Sequence, residues 1–510
     1  MHRVVVPAAV LAVLVALAVV QAGRARVVLA RVVRVRVVRV LMVPRVPRVH
    51  LVLPVPAGAA ATLATATALV VVEPPAGSAV PPVPGGADMT PRSGLQTDTG
   101  ARDMRAPNAV VQHLAYPGLQ GAVVLEDAAP VLSALTTLMT GWTPEVVTMR
   151  PEHGGHDPAS LVSRVVAWND RFDLYSPWLE EPLQGLMAAS AACGVVADMS
   201  QAFCNQHHGC LGLHCGAVQI NGHLVVLTGP ARAGKSTLIS RLTAEPDMTV
   251  FCDDILPVLE DGLAFGLGLA PRLRLPLPDN VTDAFRLHVD DYMGPADRRY
   301  GYLCGPNIAP HGTRAPVAAF IVLARGQDVP ARLHRMEPSE AVQHLVRQNI
   351  TAPNAGTAHF DQVTRLAQSV LCLKMVYSDL EDAVNVLRRA FGTRDLPAAS
   401  VPIAPPLPMQ IEPVQCAAAD PAQVYRRSPE VAVRAVQDDL FLWHATEYSY
   451  FHLNQVARAI WTLLEDPING ADITAILSDA FPDADPAQIA ADVAALLGAF
   501  EAALLVQPVF

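Results

Sequence analysis

Lysine is nearly missing: of 37 lysines and arginines only Lys235 and Lys374 are lysine. Guanidinium serves almost everywhere else, so a retained lysine marks a place where a compact ammonium is needed. Aromatic residues are also scarce, at 5 % against 51 % hydrophobic, so the cores are predicted to be built from Ala, Val and Leu. The eight cysteines (Cys193, Cys204, Cys210, Cys215, Cys252, Cys304, Cys372 and Cys416) lack the spacing of a disulfide framework. That points to a reducing compartment, the cytoplasm. A basic body is missing too. The net charge is −10, and residues 1–88, with nine Arg against two acids, contribute +7, leaving −17 for the rest. An acidic body excludes nucleic acid as the main partner, because phosphate contacts need a basic surface.

Residues 1–106 lack globular patterning. An apolar run over residues 4–20 has the form of a signal peptide or short anchor. It is followed by Val/Arg alternation and Ala/Pro/Val low complexity, without helical periodicity or turn chemistry. The segment is expected to be disordered or to reflect a mis-assigned start, with translation beginning near Met89 or Met104. The body is not expected to have a membrane partner.

From residue 107 to 392 the pattern alternates between strands and helices, which makes the fold class α/β. Strands are predicted at 122–125, 165–168, 248–252, 272–275, 318–323 and 372–377. Helices are predicted at 130–141, 182–203, 339–348, 359–370 and 380–391. Two apolar runs, 211–220 and 223–228, flank Asn221-Gly222, a strong hairpin signal. Residues 393–424, rich in Pro and Ala, read as a linker. A small domain follows at 425–507, with a hairpin over 441–451 and helices opened by Asn454, Asn469 and Asp485.

The second hairpin strand runs into Gly229-Pro230-Ala231-Arg232-Ala233-Gly234-Lys235-Ser236-Thr237, a complete G-x-x-x-x-G-K-[ST] phosphate loop. Its backbone N–H groups and the helix after it suit phosphates. Lys235 is expected on the β/γ oxygens of ATP and the Ser236 hydroxyl on Mg²⁺. Asp253-Asp254 closes the next strand, where ligands of open α/β sheets gather. One carboxylate is suited to metal, the other to taking the proton of an attacking hydroxyl. His214 ends the strand before the hairpin and is placed to orient a carboxylate. Arg272 and Arg274 either approach phosphates or belong to a half-exposed strand. Cys204, His207, His208, Cys210, His214 and Cys215 form a rival zinc reading, although their spacing fits no standard structural module.

The order His214, phosphate loop, Asp253-Asp254 resembles the kinase domain of the HPr kinase/phosphorylase family. The resemblance implies a P-loop sheet flanked by helices and transfer to a serine hydroxyl. It also implies Asp253 as catalytic base, Asp254 as its metal-linked neighbour and His214 in support, although the two Asp could exchange roles. A second family signature of the Glu-Val/Ile-Arg-Gly-Leu-Gly kind has no counterpart, which puts phosphorolysis in doubt. Residues 425–507 resemble the PqqD family through Arg427-Ser428-Pro429, Tyr450-Phe451-His452-Leu453-Asn454 and Ala459-Ile460-Trp461-Thr462-Leu463-Leu464. That implies a winged-helix-like α+β domain that takes a leader peptide as an added strand, with Trp461 in its core. The joint expectation is an ATP- and Mg²⁺-dependent kinase acting on a Ser/Thr hydroxyl of a ribosomal precursor peptide. The alternative is a non-catalytic nucleotide-binding adaptor that presents the peptide to another enzyme.

Overall fold

A computed structural model describes residues 69–72, 110–149, 161–230, 232–351, 357–398, 400–407, 417–437, 439–444 and 449–509. The apolar run at 4–20 and the expected starts at Met89 and Met104 lie outside these residues. The chain divides into two compact units, one of residues Pro74–Pro408 and one of Met1–Glu73 with Met409–Phe510.

The larger unit begins with a six-stranded sheet. Its order is Glu145–Met149, Val111–Ala115, Ala122–Glu126, Leu161–Trp168, Arg171–Tyr175 and Leu183–Leu186. Helices Ala129–Leu138 and Ala188–Gln206 share a core with it around Leu125, Leu135, Trp142, Val195 and Phe203. The second helix is fixed by Asp198, whose two carboxylate oxygens accept from Ser163 at 2.8 Å and Ser176 at 2.7 Å. The helix predicted over 182–203 thus starts later, at Ala188, after a short strand. Gly185, at φ 66°, breaks helical geometry there, and Leu183 pairs with Leu174.

A ten-stranded sheet follows, and it carries the residues of interest. Strand His223–Thr228 runs antiparallel to Gly216–Ile220 and parallel to Arg314–Arg325, which in turn runs parallel to Leu371–Tyr377. Asn221 and Gly222, at φ 48° and 84°, make the expected hairpin turn. Arg314–Arg325 is twelve residues long, twice the predicted run. Its first part pairs with Leu263–Phe265, its apolar part with the central strands. The core beneath is aliphatic, with Val225, Leu227, Ile239, Ile321 and Leu373 all buried. Lys374, the second lysine, lies 3.7 Å from Glu340. A three-stranded sheet of Arg272–Arg274, Tyr300–Leu303 and Met293–Ala296 completes the unit.

The smaller unit has a four-stranded antiparallel sheet ordered Leu69–Val72, Ser449–Leu453, Asp439–His444, Val431–Val436. Helices Gln455–Leu463, Gly470–Ala480 and Pro486–Ala502 are N-capped by Asn454, Asn469 and Asp485 as expected, each side chain accepting a backbone N–H. Trp461 is 1 % exposed and packs edge-on to Phe500. Arg427 explains its own place: its guanidinium lies over the Trp461 ring and donates to the Trp461 carbonyl at 3.0 and 2.6 Å. The strand Leu69–Val72 comes from the stretch expected to be disordered.

Candidate functional site

The phosphate-loop sequence leaves strand His223–Thr228, and helix Lys235–Leu242 begins at its lysine. Ala231 lies outside the described residues. Gly234 caps the helix at φ 93°, a left-handed value that glycine adopts without steric cost. A Cβ there would also collide with the Tyr377 hydroxyl. That hydroxyl donates to the Ala233 carbonyl at 2.7 Å, and the Ala233 N–H donates to the Pro230 carbonyl at 3.0 Å. The loop is therefore tied to the end of strand Leu371–Tyr377. The Arg325 guanidinium stands over the Tyr377 ring, 5.3 Å from its centroid.

Strand Met248–Cys252, which delivers the paired Asp, is not adjacent to the loop strand. Gly216–Ile220 lies between them, and neighbouring strands are about 4.8 Å apart. Gly216 shortens the crossing. A Cβ at this position would collide with Ile239 and come within 3.5 Å of Lys235 Cγ, so the loop helix packs onto bare backbone. Lys235 is the strongest charge acting on the Asp253 carboxylate, and the nearby Ser236 hydroxyl also lowers its pKa.

The other edge is set by register. Ala217 stands opposite Cys252 and His214 opposite Ile255, which brings His214–Ala217 alongside Cys252–Ile255. The Cys215 N–H donates to the Asp254 carbonyl at 3.0 Å. His214 Nε2 lies 3.2 Å from Asp254 Oδ1. Arg272 reaches both acids: its backbone N–H donates to Asp253 Oδ2 at 3.3 Å, and its guanidinium is 3.9 Å from Asp254 Oδ2. Arg274 is exposed and faces Tyr300, 5.9 Å from the ring centroid.

The two carboxylates are driven apart. Asp253 is 7 % exposed. Burial pushes its carboxyl up to about 6, against the pull of Lys235; Asp254 adds to the rise, while Ser236 and Arg272 oppose it. Asp254, with a side chain 52 % exposed, is raised by desolvation. The hydrogen bond and charge of His214, then Lys235 and Arg272, outweigh that and hold it well below the usual carboxylate range. Such a split within one pair of acids separates a proton acceptor from a permanent anion. Asp253 Oδ1 is buried without a hydrogen-bond partner. An unsatisfied buried acceptor is costly, which favours the protonated carboxyl.

Ser236 and the two carboxylates offer the hard oxygen donors that Mg²⁺ takes, usually alongside substrate phosphates rather than in an all-protein cage. Among the described residues no group of three or more His, Cys, Asp or Glu side chains is arranged to hold a metal ion. The rival zinc reading fails on this: His207 bonds the Phe203 carbonyl at 2.7 Å, and His214 pairs with Asp254. The seven described cysteines are free; Cys416 lies outside the described residues. No helix among the described residues is long and apolar enough to cross a membrane.

Sequence reasoning missed Tyr377, Arg325 and Gly216. Arg325 ends the strand beside the loop strand and Tyr377 the next one, at the carboxyl edge where ligands of such sheets sit, and that position was the available signal. Nothing local marked Gly216.

Compared with curated proteins, the chain has no match. Among solved structures it is similar to the Hpr(Ser) kinase/phosphatase from Coxiella burnetii, at 13 % identity and a TM-score of 0.18, covering 34 % of this chain and 90 % of that one. Residues 441–506 match the family Coenzyme PQQ synthesis protein D (PqqD). The chain thus carries a PqqD domain at residues 441–506, C-terminal to a mixed α/β unit that holds the phosphate-loop sequence.

Proposed function

We propose that the chain transfers the γ-phosphoryl group of ATP to a Ser or Thr hydroxyl of a precursor peptide bound by its C-terminal domain. One observation carries the reading. Beside Lys235 and Ser236 lies a buried carboxylate, Asp253, with a near-neutral pKa and one oxygen left unpartnered. A general base works best when its pKa lies near the operating pH. The acceptor hydroxyl oxygen attacks the γ-phosphorus while the bond from that phosphorus to the β–γ bridging oxygen breaks. ADP leaves, and the hydroxyl proton passes to the Asp253 carboxylate. Lys235 and the loop's N–H groups hold the phosphates. His214 keeps Asp254 ionised and oriented. Ser236 and Asp254 would hold Mg²⁺, which when bound neutralises phosphate charge. Binding of the peptide to a domain on the same chain raises its local concentration at the phosphate site.

ADP release measured with and without Ser- and Thr-containing precursor peptides tests the assignment. A kinase releases ADP in step with peptide addition, whereas equal release without peptide means an NTPase. The same assay gives a pH profile. Asp253 must be ionised to act, and its carboxyl is raised to about 6. The kcat/KM for peptide is therefore expected to fall about tenfold per unit below pH 6. An acid limb near pH 4 would contradict this role.

A further prediction concerns the smaller unit. Leu69–Val72 pairs antiparallel with Ser449–Leu453, from Leu69 opposite Leu453 to Val72 opposite Tyr450. A peptide that binds as an added strand would compete for that edge. A chain beginning at Met89 is therefore expected to bind precursor peptide several-fold more tightly, measured by fluorescence anisotropy. Unchanged affinity would place the peptide elsewhere.

A further inference from the structure

A cavity of about 230 Å³ is lined by Ser190, Cys193, Arg272, Arg299, Tyr300 and Tyr302, with Asp297 at its wall. It adjoins the paired acids at Arg272. Arg272 touches Asp253 through its backbone N–H and lies 3.9 Å from Asp254 through its guanidinium, while the same side chain lines the cavity. That side chain is held in place: Nη1 donates to Cys193 Sγ at 2.8 Å, and the guanidinium stands over Tyr300, 4.9 Å from the ring centroid.

The charge balance of the cavity is positive. Asp297, its one acid, is already engaged: Oδ2 accepts from Ser190 at 2.6 Å, and Oδ1 accepts from the N–H groups of Arg299 and Tyr300 at 2.7 and 2.8 Å. Arg272 and Arg299 therefore both line the space, with one satisfied carboxylate beside them. Arginine favours carboxylate and phosphate partners through paired N–H donors. The volume decides between ligand sizes. It falls below the roughly 300–1,000 Å³ of sites for drug-sized ligands and suits a group the size of one side chain.

We propose that this cavity is the acceptor-side specificity subsite, taking an acidic side chain of the substrate peptide next to the hydroxyl that receives the phosphoryl group. The proposal rests on the kinase reading above. Arg299 acts as the specificity residue. Arg272 acts as a positioning residue, linking the bound carboxylate to the paired acids. The Arg299 backbone bonds Asp297 and Leu275, outside the phosphate loop and the paired acids, so replacing its side chain leaves nucleotide binding intact.

Two measurements on the full chain test this separately from the kinase reading. In the first, transfer is compared for synthetic peptides with Glu or Gln beside the acceptor serine. The wild-type protein is expected to favour Glu by about tenfold in kcat/KM, the size of one charge-assisted hydrogen bond, chiefly through KM. Arg299→Gln is expected to abolish the preference while turnover of the Gln peptide and ATP affinity stay unchanged. Equal use of both peptides by the wild type, or equal loss on both in the variant, would overturn the proposal. The second measurement needs no transfer: alkylation of Cys193 by iodoacetamide, read by peptide mass mapping. N-acetyl-Glu-Ser amide is expected to slow it in the wild type but not in Arg299→Gln, and the Gln-Ser counterpart to have no effect. Protection without transfer to any peptide would remove the kinase reading and keep the subsite. Transfer without protection, or equal protection by inorganic phosphate, would remove the side-chain subsite alone.

Discussion

Asp253→Asn is expected to lower peptide phosphorylation by about 10²–10⁴-fold, the usual contribution of a positioned general base. Nucleotide affinity should change little, because the loop and Lys235 remain. The same substitution should stabilise the protein. The Asp253 carboxyl is raised from 3.8 to about 6 in the folded chain, so the folded state holds this proton more tightly than the unfolded state does. Stability is then present at low pH and lost as pH rises between about 4 and 6. At about 1.4 kcal/mol per unit, the two-unit shift costs about 3 kcal/mol above pH 6. Asn carries no charge and escapes that cost. Asp253→Asn should therefore melt a few degrees higher than wild type at pH 7.5 and no higher at pH 4. A gain in stability together with a loss of activity marks a site strained for function. If the variant is inactive but less stable at pH 7.5, Asp253 is a structural acid and the base assignment fails.

Lys235→Ala is expected to weaken ATP binding by about 10- to 100-fold, corresponding to the loss of hydrogen bonds from a charged group to phosphate. Lys235→Arg should not restore it, because the loop calls for a compact point charge on the β- and γ-phosphates, which a planar guanidinium fork does not supply. The loss of Lys235 also removes the strongest charge lowering the Asp253 carboxyl, so the acid limb of any residual activity moves above pH 6. Calorimetric titration of ATP into the two variants, at matched ionic strength, checks the first two statements. Full rescue by Arg would show that charge alone matters there, contrary to the geometry of the loop.

What could be read from the sequence was what local chemistry decides. Asn221-Gly222 turns with both φ positive, and Asn454, Asn469 and Asp485 each accept the N–H they were expected to accept. The strand, loop and helix around Lys235 likewise follow from hydrophobic period and glycine placement. What escaped depends on contacts between distant segments. The short strand Leu183–Leu186 is set by pairing with Arg171–Tyr175 and by Gly185, not by its own propensity. Helix Asp283–Tyr292 was missed because its polar stretches blur the apolar face. Of the candidate site, His214, Lys235, Ser236, Asp253 and Asp254 come together as their order suggested. The partition among them did not follow from order. Which acid meets His214 is fixed by strand register, and the Tyr377 tie to Ala233 joins residues 144 apart in sequence. The cavity beside Arg272 combines residues from helix Ala188–Gln206 and the small sheet, a juxtaposition no local pattern announces.

The central claim is phosphoryl transfer to a peptide hydroxyl. Its most direct test is the intact mass of precursor peptides after incubation with the full chain, ATP and Mg²⁺, run in parallel with Asp253→Asn. A gain of one phosphoryl group on a Ser or Thr is expected with the wild type and none with the variant, while both bind ATP. An unmodified peptide in the presence of wild-type protein that binds both ATP and peptide would contradict it and leave a nucleotide-binding adaptor.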